Sequence, residues 1–311
     1  MAKNLLLNEG YTNNKYIFDK GIGSKIFIKR KKFVDLSFSA GSLLLGHNSK
    51  IFNQAIKDIL KNKISIFANP NKQAEDFAKI IKKIYPFYSK FIFCSTGSEA
   101  IMKSLRIVKA ITKKNLIVNV TGSWHGSNDK TLFTPNKNNL APTPMSDGLS
   151  EFDKSNIKFI PYNDEKKSYK ILKKYKKDIC CIIIEPIQAG LPDPNSFHYL
   201  RFLDRFSKVN KKLLIFDETI TAFGRLGKAT AREYFNITPD IITCAKAITN
   251  ATVPMGATIC QDYIYESVVE NSKTPIELFH GYTYSSHNLA CASAIACLWP
   301  PDKLPPASKS W

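Results

Sequence analysis

Two residues of opposite charge stand at the ends of apolar segments. Asp217 follows the run Leu213–Phe216, and Lys246 follows the run Ile241–Ala245. A lysine amine can bond covalently to an aldehyde, and a carboxylate can keep a pyridine nitrogen protonated. Each residue taken singly is also compatible with a solvated strand end. Together they indicate chemistry with pyridoxal phosphate, a cofactor that carries both an aldehyde and a pyridine ring.

A third segment could hold the phosphate group of such a cofactor. The apolar run Phe91–Cys94 is followed by the small residues of Ser95–Ser98 and then by a predicted helix that begins near Glu99. Backbone N–H groups at a helix N-terminus point toward an anion, the helix dipole favours negative charge, and Gly97 permits a close approach. The same residues are typical of a helix N-cap that binds nothing. By itself the segment leaves both interpretations open.

An aromatic residue follows another predicted buried strand. Trp124 lies between Gly122 and Gly126, after the apolar run Leu116–Val120. An indole stacked on the cofactor ring would position that ring and contribute roughly 1 kcal/mol beyond the burial of its area. His125 is either a further contact to the cofactor or an ordinary polar loop residue. A Trp-His pair alone is more typical of packing, so its interpretation depends on the other segments.

Six segments occur in an order that resembles the class III aminotransferases of fold type I, a family of pyridoxal phosphate enzymes. These segments are Ser95–Ala100, Trp124–Gly126, Ile184–Gln188, Asp217–Arg225, Ala245–Asn250 and Phe279–His287. They cover roughly residues 20 to 298, which is nearly the whole chain. The resemblance implies an enzyme that moves an amino group between an amino acid or amine and an oxo acid.

The resemblance also implies a role for each residue at the proposed cofactor. Lys246 would form a Schiff base with pyridoxal phosphate and then move a proton as general base and acid. Asp217 would pair with the pyridinium nitrogen. The phosphate would be held by Thr96, Gly97 and Ser98.

The remaining family positions would surround the ring and reach a second subunit. Trp124 would stack on one face of the ring, with His125 beside it, and Glu185 would support the hydrogen bonds around the ring. Thr219 stands where the family usually has Val or Ile under the ring, so a hydroxyl that needs a partner replaces a methyl group. Thr283 resembles the family threonine that reaches the phosphate of the neighbouring subunit, which implies a homodimer.

Two branches of the family remain open for the reaction. The segments Ile248–Gly256 and Tyr282–His287 resemble transaminases of the omega-amino acid:pyruvate type. In contrast, Ser95–Met102, Gly122–Gly126 and Pro144–Leu149 resemble the glutamate-1-semialdehyde aminomutase branch. We therefore expect an aminotransferase, with a 2,1-aminomutase of the glutamate-1-semialdehyde type as the alternative.

The end of the chain departs from the family. Relatives continue well beyond the predicted helix at 287–298, whereas here Trp299 is followed by two prolines, which cannot continue a helix. We therefore expect the C-terminal part of the small domain to be missing and the chain to be a fragment. The alternative is a short variant that closes its site with a partner chain. A truncated fragment that binds the cofactor without catalysis is a third hypothesis for the function.

Composition excludes several other classes of protein. The 311 residues include 45 Lys and Arg against 26 Asp and Glu, a formal net charge of +19. The basic residues are spread along predicted helices without an accompanying aromatic motif, so we expect no nucleic-acid partner. The seven cysteines have no metal-site or disulfide spacing, which predicts no metal and a reducing, cytoplasmic location. No segment is long enough for a signal peptide or a membrane span, so we expect no membrane partner.

The elements that position these residues follow from alternating apolar and helical segments. Strands are predicted at 91–94, 116–120, 157–161, 179–184, 213–217, 241–244 and 256–260. Helices are predicted at 98–112, 165–176, 197–210 and 287–298. This alternation predicts the α/β class, and the resemblance specifies a mostly parallel seven-stranded sheet with helices on both faces. Ligand groups are then expected at the strand ends.

We divide the chain into three parts on the same basis. Residues 1–60, with a hairpin expected near 21–36, would be the N-terminal share of a partial small α+β domain. Residues 61–298 would form the large cofactor-binding domain. Residues 299–311 would be an irregular, proline-rich tail.

Overall fold

A computed structural model describes residues 16–61, 70–193 and 196–298 of the chain. The strands are β1 (Lys20–Ile22), β2 (Lys25–Ile28), β3 (Lys31–Val34), β4 (Lys90–Cys94), β5 (Leu116–Val120), β6 (Phe133–Pro135), β7 (Pro142–Pro144), β8 (Ile157–Ile160), β9 (Ile179–Ile184), β10 (Leu213–Asp217), β11 (Ile241–Cys244) and β12 (Gly256–Cys260). The helices are α1 (Phe38–Gly41), α2 (Lys50–Lys61), α3 (Lys72–Ile84), α4 (Gly97–Thr112), α5 (Glu151–Ser155), α6 (Glu165–Tyr175), α7 (Phe197–Asn210), α8 (Ala231–Phe235), α9 (Asp262–Asn271) and α10 (Asn288–Cys297).

Seven strands form the central sheet, in the order β4-β12-β11-β10-β9-β5-β8. The strands from β11 to β8 pair in parallel, whereas β12 pairs antiparallel with both β11 and β4. The predicted α/β class and the mostly parallel seven-stranded sheet are therefore confirmed. Each of the seven apolar runs predicted as a strand is one, within one residue at its ends.

Both faces of the sheet are covered, which explains why its strands are apolar throughout. Successive residues of β10 alternate between two cores: Leu214 and Phe216 belong to one, Leu213 and Ile215 to the other. Helices α3, α6, α7 and α10 contribute to the first core, and α4 and α9 contribute to the second. The alternation follows from the two-residue period of a strand.

The four predicted helices are also present, as α4, α6, α7 and α10. Local capping fixes where several helices begin. Thr96 accepts a hydrogen bond from the backbone of Glu99 at the start of α4, and Asp164 accepts one from Lys167 at the start of α6. Within the described residues, no helix combines the length and the apolar character that crossing a bilayer requires.

The N-terminal part forms a separate sheet. Strands β1, β2 and β3 make an antiparallel three-stranded sheet, so the expected hairpin is part of a meander with one additional strand. Helix α2 packs against α10 of the larger unit, so a domain boundary near residue 60 stays a proposal. The tail assigned to 299–311 and the break after Leu298 lie outside the described residues.

Candidate functional site

A cavity of about 1380 Å³ lies at the carboxyl ends of the parallel strands. Its lining includes every residue predicted for the cofactor site except Thr283. These are Thr96, Gly97, Ser98, Trp124, His125, Glu185, Asp217, Thr219 and Lys246. The sheet register explains the grouping, because Phe216 pairs with Ile184 and Asp217 pairs with Thr243. Residues that follow neighbouring strand ends therefore meet at one edge.

Asp217 is the buried anion of this cavity, with only 3% of its surface exposed. Its Oδ2 lies 2.9 Å from the Nδ1 of His125. Its Oδ1 accepts hydrogen bonds of 3.1 Å from the Thr219 N–H and the Thr243 hydroxyl. Burial opposes the charge of the carboxylate, but the hydrogen bond and charge of His125 and the bonds of Thr219 outweigh it, so the pKa of Asp217 lies below its ordinary value.

Lys246 supplies an amine to the lining of the cavity. It begins a 3₁₀ turn after β11 and has a left-handed φ of 48°, a backbone conformation that is uncommon outside glycine and is concentrated at functional sites. In the described part of the chain, its amine forms no ion pair within 4.0 Å. Burial lowers the pKa of Lys246, although the charges of Asp217 and Glu185 oppose that shift. The site thus holds a half-buried amine whose neutral form, the form that attacks a carbonyl, is more accessible than that of an exposed lysine.

Glu185 connects the strand edge to the aromatic loop. It is buried, and its Oε1 accepts a 2.5 Å hydrogen bond from the Trp124 N–H while its Oε2 accepts one of 3.1 Å from the Ala189 N–H. Burial and the nearby charge of Asp217 raise the pKa of Glu185. The carboxyl group therefore fixes the backbone of Trp124, whose own side chain is 38% exposed at the cavity.

The N-terminus of α4 forms another wall of the cavity. The Thr96 side chain is engaged as the N-cap, and the Ser98 Oγ accepts a 3.0 Å hydrogen bond from the Ser127 N–H. A Cβ at Gly126 would lie 2.4 Å from the Ser98 Oγ, and one at Gly97 would lie 3.2 Å from Thr219. Tight backbone packing thus holds the first turn of α4 against the loop that carries Trp124.

Thr283 lies apart from this cavity. It is exposed, in the segment between α9 and α10, and does not line the pocket. The family resemblance assigns Thr283 to the phosphate site of a neighbouring subunit. That role stays a prediction.

Two side chains that the sequence analysis did not single out tie the N-terminal segment to the site. Asn250 is buried; its Oδ1 accepts 2.7 Å hydrogen bonds from the N–H groups of Leu44 and Leu45, and its Nδ2 donates to the Gly46 carbonyl. Arg225 donates from Nη2 to the Gly41 carbonyl at 2.6 Å. Sequence reasoning could have found both residues only from their place in the segments that resemble the family. Their partners are backbone atoms about 200 residues away, and such contacts leave no pattern in the sequence.

Replacement of Asn250 is expected to lower the stability of the fold. Asn250→Gly keeps the left-handed φ of 50° accessible but removes all three side-chain bonds, so we expect the free energy of unfolding to fall by about 2–4 kcal/mol. Asn250→Asp keeps an acceptor for both N–H groups and should lose less. Urea unfolding measures both variants, and an Asn250→Gly protein as stable as the wild type would contradict the assignment.

Gly256 is expected to be required where β12 packs against the start of α4. A Cβ there would lie 2.4 Å from the Thr96 carbonyl oxygen, so Gly256→Ala must displace the first turn of α4. We expect a loss of about 1–3 kcal/mol of stability. Gly190→Ala is the matched control, because a Cβ at Gly190 meets nothing within 4 Å. Equal unfolding midpoints for the two variants would show that the contact is unimportant.

The fold is similar to that of solved transaminases. A structure described as a transaminase with PLP bound superposes with a TM-score of 0.81 and 24% identity, covering 91% of this chain and 66% of that one. An omega-transaminase from Sphaerobacter thermophilus gives a TM-score of 0.82 at 21% identity, over 94% of this chain and 67% of that one. At these identities the likeness concerns the fold.

A family profile gives the assignment. Residues 7–299 match the profile of class III aminotransferases, and the chain belongs to that family. Curated relatives include the glutamate-1-semialdehyde 2,1-aminomutases of Methanocaldococcus jannaschii, 31% identical over 86% of this chain, and of Hydrogenobaculum sp., 32% identical over 91%. The chain spans 61% and 65% of the lengths of these two relatives.

Proposed function

We propose that this chain binds pyridoxal phosphate through Lys246 and catalyses the transfer of an amino group between an amino acid or amine and an oxo acid. One observation supports it above the others. The cavity holds a half-buried amine that pairs with no carboxylate of the described residues, together with a buried carboxylate whose pKa is lowered. Those are the two groups that an aldehyde and a protonated pyridine nitrogen require.

The residues present also fit the rest of the cofactor. The Nε2 of His125 is buried and has no hydrogen-bond partner within the described structure, although its Nδ1 contacts Asp217. A bound group at this wall of the cavity would supply that partner. The backbone N–H groups of the N-cap residue Thr96 and of the first-turn residues Gly97 and Ser98 suit a phosphate. Trp124 is exposed at the cavity and can cover a planar ring.

The chain's own groups then divide the work of proton transfer. When bound, the cofactor supplies an electron-withdrawing ring that takes up the electron pair left when a substrate carbon loses its proton. Lys246, with its lowered pKa, provides a neutral amine near neutral pH more readily than an exposed lysine does, and it can accept and return that proton. Asp217 remains an anion and holds its place through His125. Glu185 keeps the Trp124 backbone in position.

The first experiment tests the covalent attachment. Purified protein is mixed with pyridoxal phosphate, reduced with borohydride and digested, and the modified peptide is identified by mass spectrometry. We expect the adduct on Lys246. An adduct spread over exposed lysines, with none on Lys246, would refute the proposal.

A second candidate is rearrangement within one molecule, as in a 2,1-aminomutase. The names of the curated relatives favour it, since those cited above are glutamate-1-semialdehyde 2,1-aminomutases. The test offers glutamate-1-semialdehyde in one assay and a panel of amino donors with pyruvate or 2-oxoglutarate in another. Isomerisation without an added oxo acid supports the mutase, and exchange that requires one supports the transaminase. Cofactor binding without either reaction would support a non-catalytic binding protein.

We also propose a homodimer in which Thr283 reaches the phosphate of the neighbouring subunit's cofactor. Its support is the exposed position of Thr283 outside its own cavity. A reducing, cytoplasmic location is proposed from the seven cysteines, all of which are free thiols. The division into a small N-terminal unit, a large cofactor-binding unit and a tail remains part of the proposal.

A further inference from the structure

Helix α4 buries a lysine for which the proposed chemistry has no use. Lys103 is 1% exposed, and in the described ranges it has no carboxylate within ion-pair distance. Burial lowers the pKa of Lys103, while the charge on Glu99 acts in the opposite direction. Taking an ammonium group out of water without a counter-ion is unfavourable, so other contacts of the Lys103 ammonium must offset that cost.

Those contacts all lie in one segment between α9 and α10. The Nζ of Lys103 donates a hydrogen bond to the His280 carbonyl oxygen and lies 4.3 Å from the centre of the Tyr282 ring. The Nε2 of His280 is 2.9 Å from the Tyr282 hydroxyl, and the Tyr282 N–H donates to the Ser285 hydroxyl at 3.1 Å. The ammonium thus holds a backbone carbonyl and an aromatic face of the same short loop.

The loop has few other anchors, one of which is a 2.7 Å hydrogen bond from the Asn71 Nδ2 to the Ser286 carbonyl oxygen at its far end. It contains no helix or strand between Ser272 and His287, and its apolar side chains Phe279 and Tyr284 are 81% and 56% exposed. One apolar side chain of the loop, Leu278, packs against the core that α4 and α9 help to form. A loop with so few buried contacts opens easily, so one charged hydrogen bond has a large effect on its position.

We propose that Lys103 is a positioning residue: it fixes the segment Phe279–Tyr284 on helix α4 and thereby sets the place of Thr283. The inference rests on the proposed function in one respect, the assignment of Thr283 to the neighbouring subunit's phosphate. Helix α4 would then serve two cofactor sites. Its N-terminus faces the cavity of its own subunit, and Lys103, six residues along the helix, holds the loop that serves the other.

Lys103→Met separates positioning from simple stabilisation. Methionine has a similar length and no charge, so it removes the unfavourable burial of the ammonium while it also removes the bond to His280. We expect the melting midpoint to be unchanged or raised. We also expect hydrogen–deuterium exchange of the amides at 279–284 to become about tenfold faster, and the dissociation constant of pyridoxal phosphate to rise about tenfold, the effect of losing one hydrogen bond to a charged group.

Lys109→Met is the matched control, because Lys109 is half-buried on the same helix and its pKa is also lowered by burial, but it does not contact the loop. It should leave exchange at 279–284 unchanged. If Lys103→Met does not fold, Tyr282→Leu removes the aromatic contact from the exposed side, and it should accelerate the same amides. Unchanged exchange at 279–284 in the folded variant overturns the inference.

The two proposals fail in different ways. If the wild-type protein does not bind pyridoxal phosphate but Lys103→Met still accelerates exchange at 279–284, the proposed function is wrong and the positioning role stands. If the wild type binds the cofactor and neither exchange nor affinity changes in Lys103→Met, the positioning role is wrong and the proposed function stands.

Discussion

Lys246→Ala is expected to abolish covalent attachment of pyridoxal phosphate and all amino-group transfer. Alanine has no amine to bond to the aldehyde, and no other group takes over the proton transfer, a step worth roughly 10²- to 10⁴-fold in rate on its own. The fold should survive, because the lysine forms no ion pair among the residues that the structure describes and its half-buried charge is unfavourable. Borohydride trapping, turnover and the melting midpoint measure the three effects.

Lys109→Ala is the control for this substitution. Lys109 shares with Lys246 a pKa that burial lowers, but it does not line the cavity. It should retain attachment and turnover. Native turnover in Lys246→Ala would overturn the assignment of this residue.

In the wild type, the rate of attachment should rise with pH through a midpoint below 10.5, the ordinary pKa of lysine, because only the neutral amine reacts.

Asp217→Asn is expected to have the second largest effect. The amide keeps the size of the carboxylate and can still accept hydrogen bonds from Thr219 and Thr243, but it cannot compensate a positive charge on the cofactor ring. Removing one preorganised electrostatic partner of a reacting group lowers turnover by roughly 10²- to 10³-fold, and we expect a loss of that size. Steady-state kinetics with saturating cofactor measure the loss.

Asp240→Asn provides the comparison for Asp217. Asp240 lies at the opposite end of the same strands, where its Oδ2 accepts a 2.6 Å hydrogen bond from the Leu214 N–H. Its substitution should reduce stability without a specific effect on turnover. Equal turnover in the Asp217→Asn and Asp240→Asn variants would contradict the role of Asp217.

Because the pKa of Asp217 is lowered in the fold, the contribution of its charge to stability is present above pH 3.8, the ordinary pKa of aspartate. That contribution is lost as the pH falls through the lowered pKa.

Much of the sheet could be predicted because its strands are continuous apolar runs. The run Ile179–Ile184 is buried along its whole length, and such a strand is identifiable without knowledge of its neighbours. Strand direction was not predictable in the same way. The run Gly256–Cys260 pairs antiparallel with both neighbouring strands, but an apolar run carries no information about the direction of the strand in the sheet.

The site was predictable where a residue type carries the chemistry. Lys246, Asp217 and Trp124 were singled out because an amine, a carboxylate and an aromatic ring have definite uses, and the fold brings them to one cavity. Asn250 and Arg225 were missed as structural links, because their partners are backbone carbonyl and N–H groups, which every residue offers. Lys103 was missed for a related reason: burial of a lysine depends on the loop that later covers it.

The position of β12 has a consequence for how the molecule is made. Among the strands that the structure describes, β4, which leads into α4, pairs with β12 alone, and Cys94 pairs with Gly256. Contacts between residues so distant in sequence form slowly, because a long loop must close first. We therefore expect β4 to take its place in the sheet only after residues 256–260 are available to pair with it.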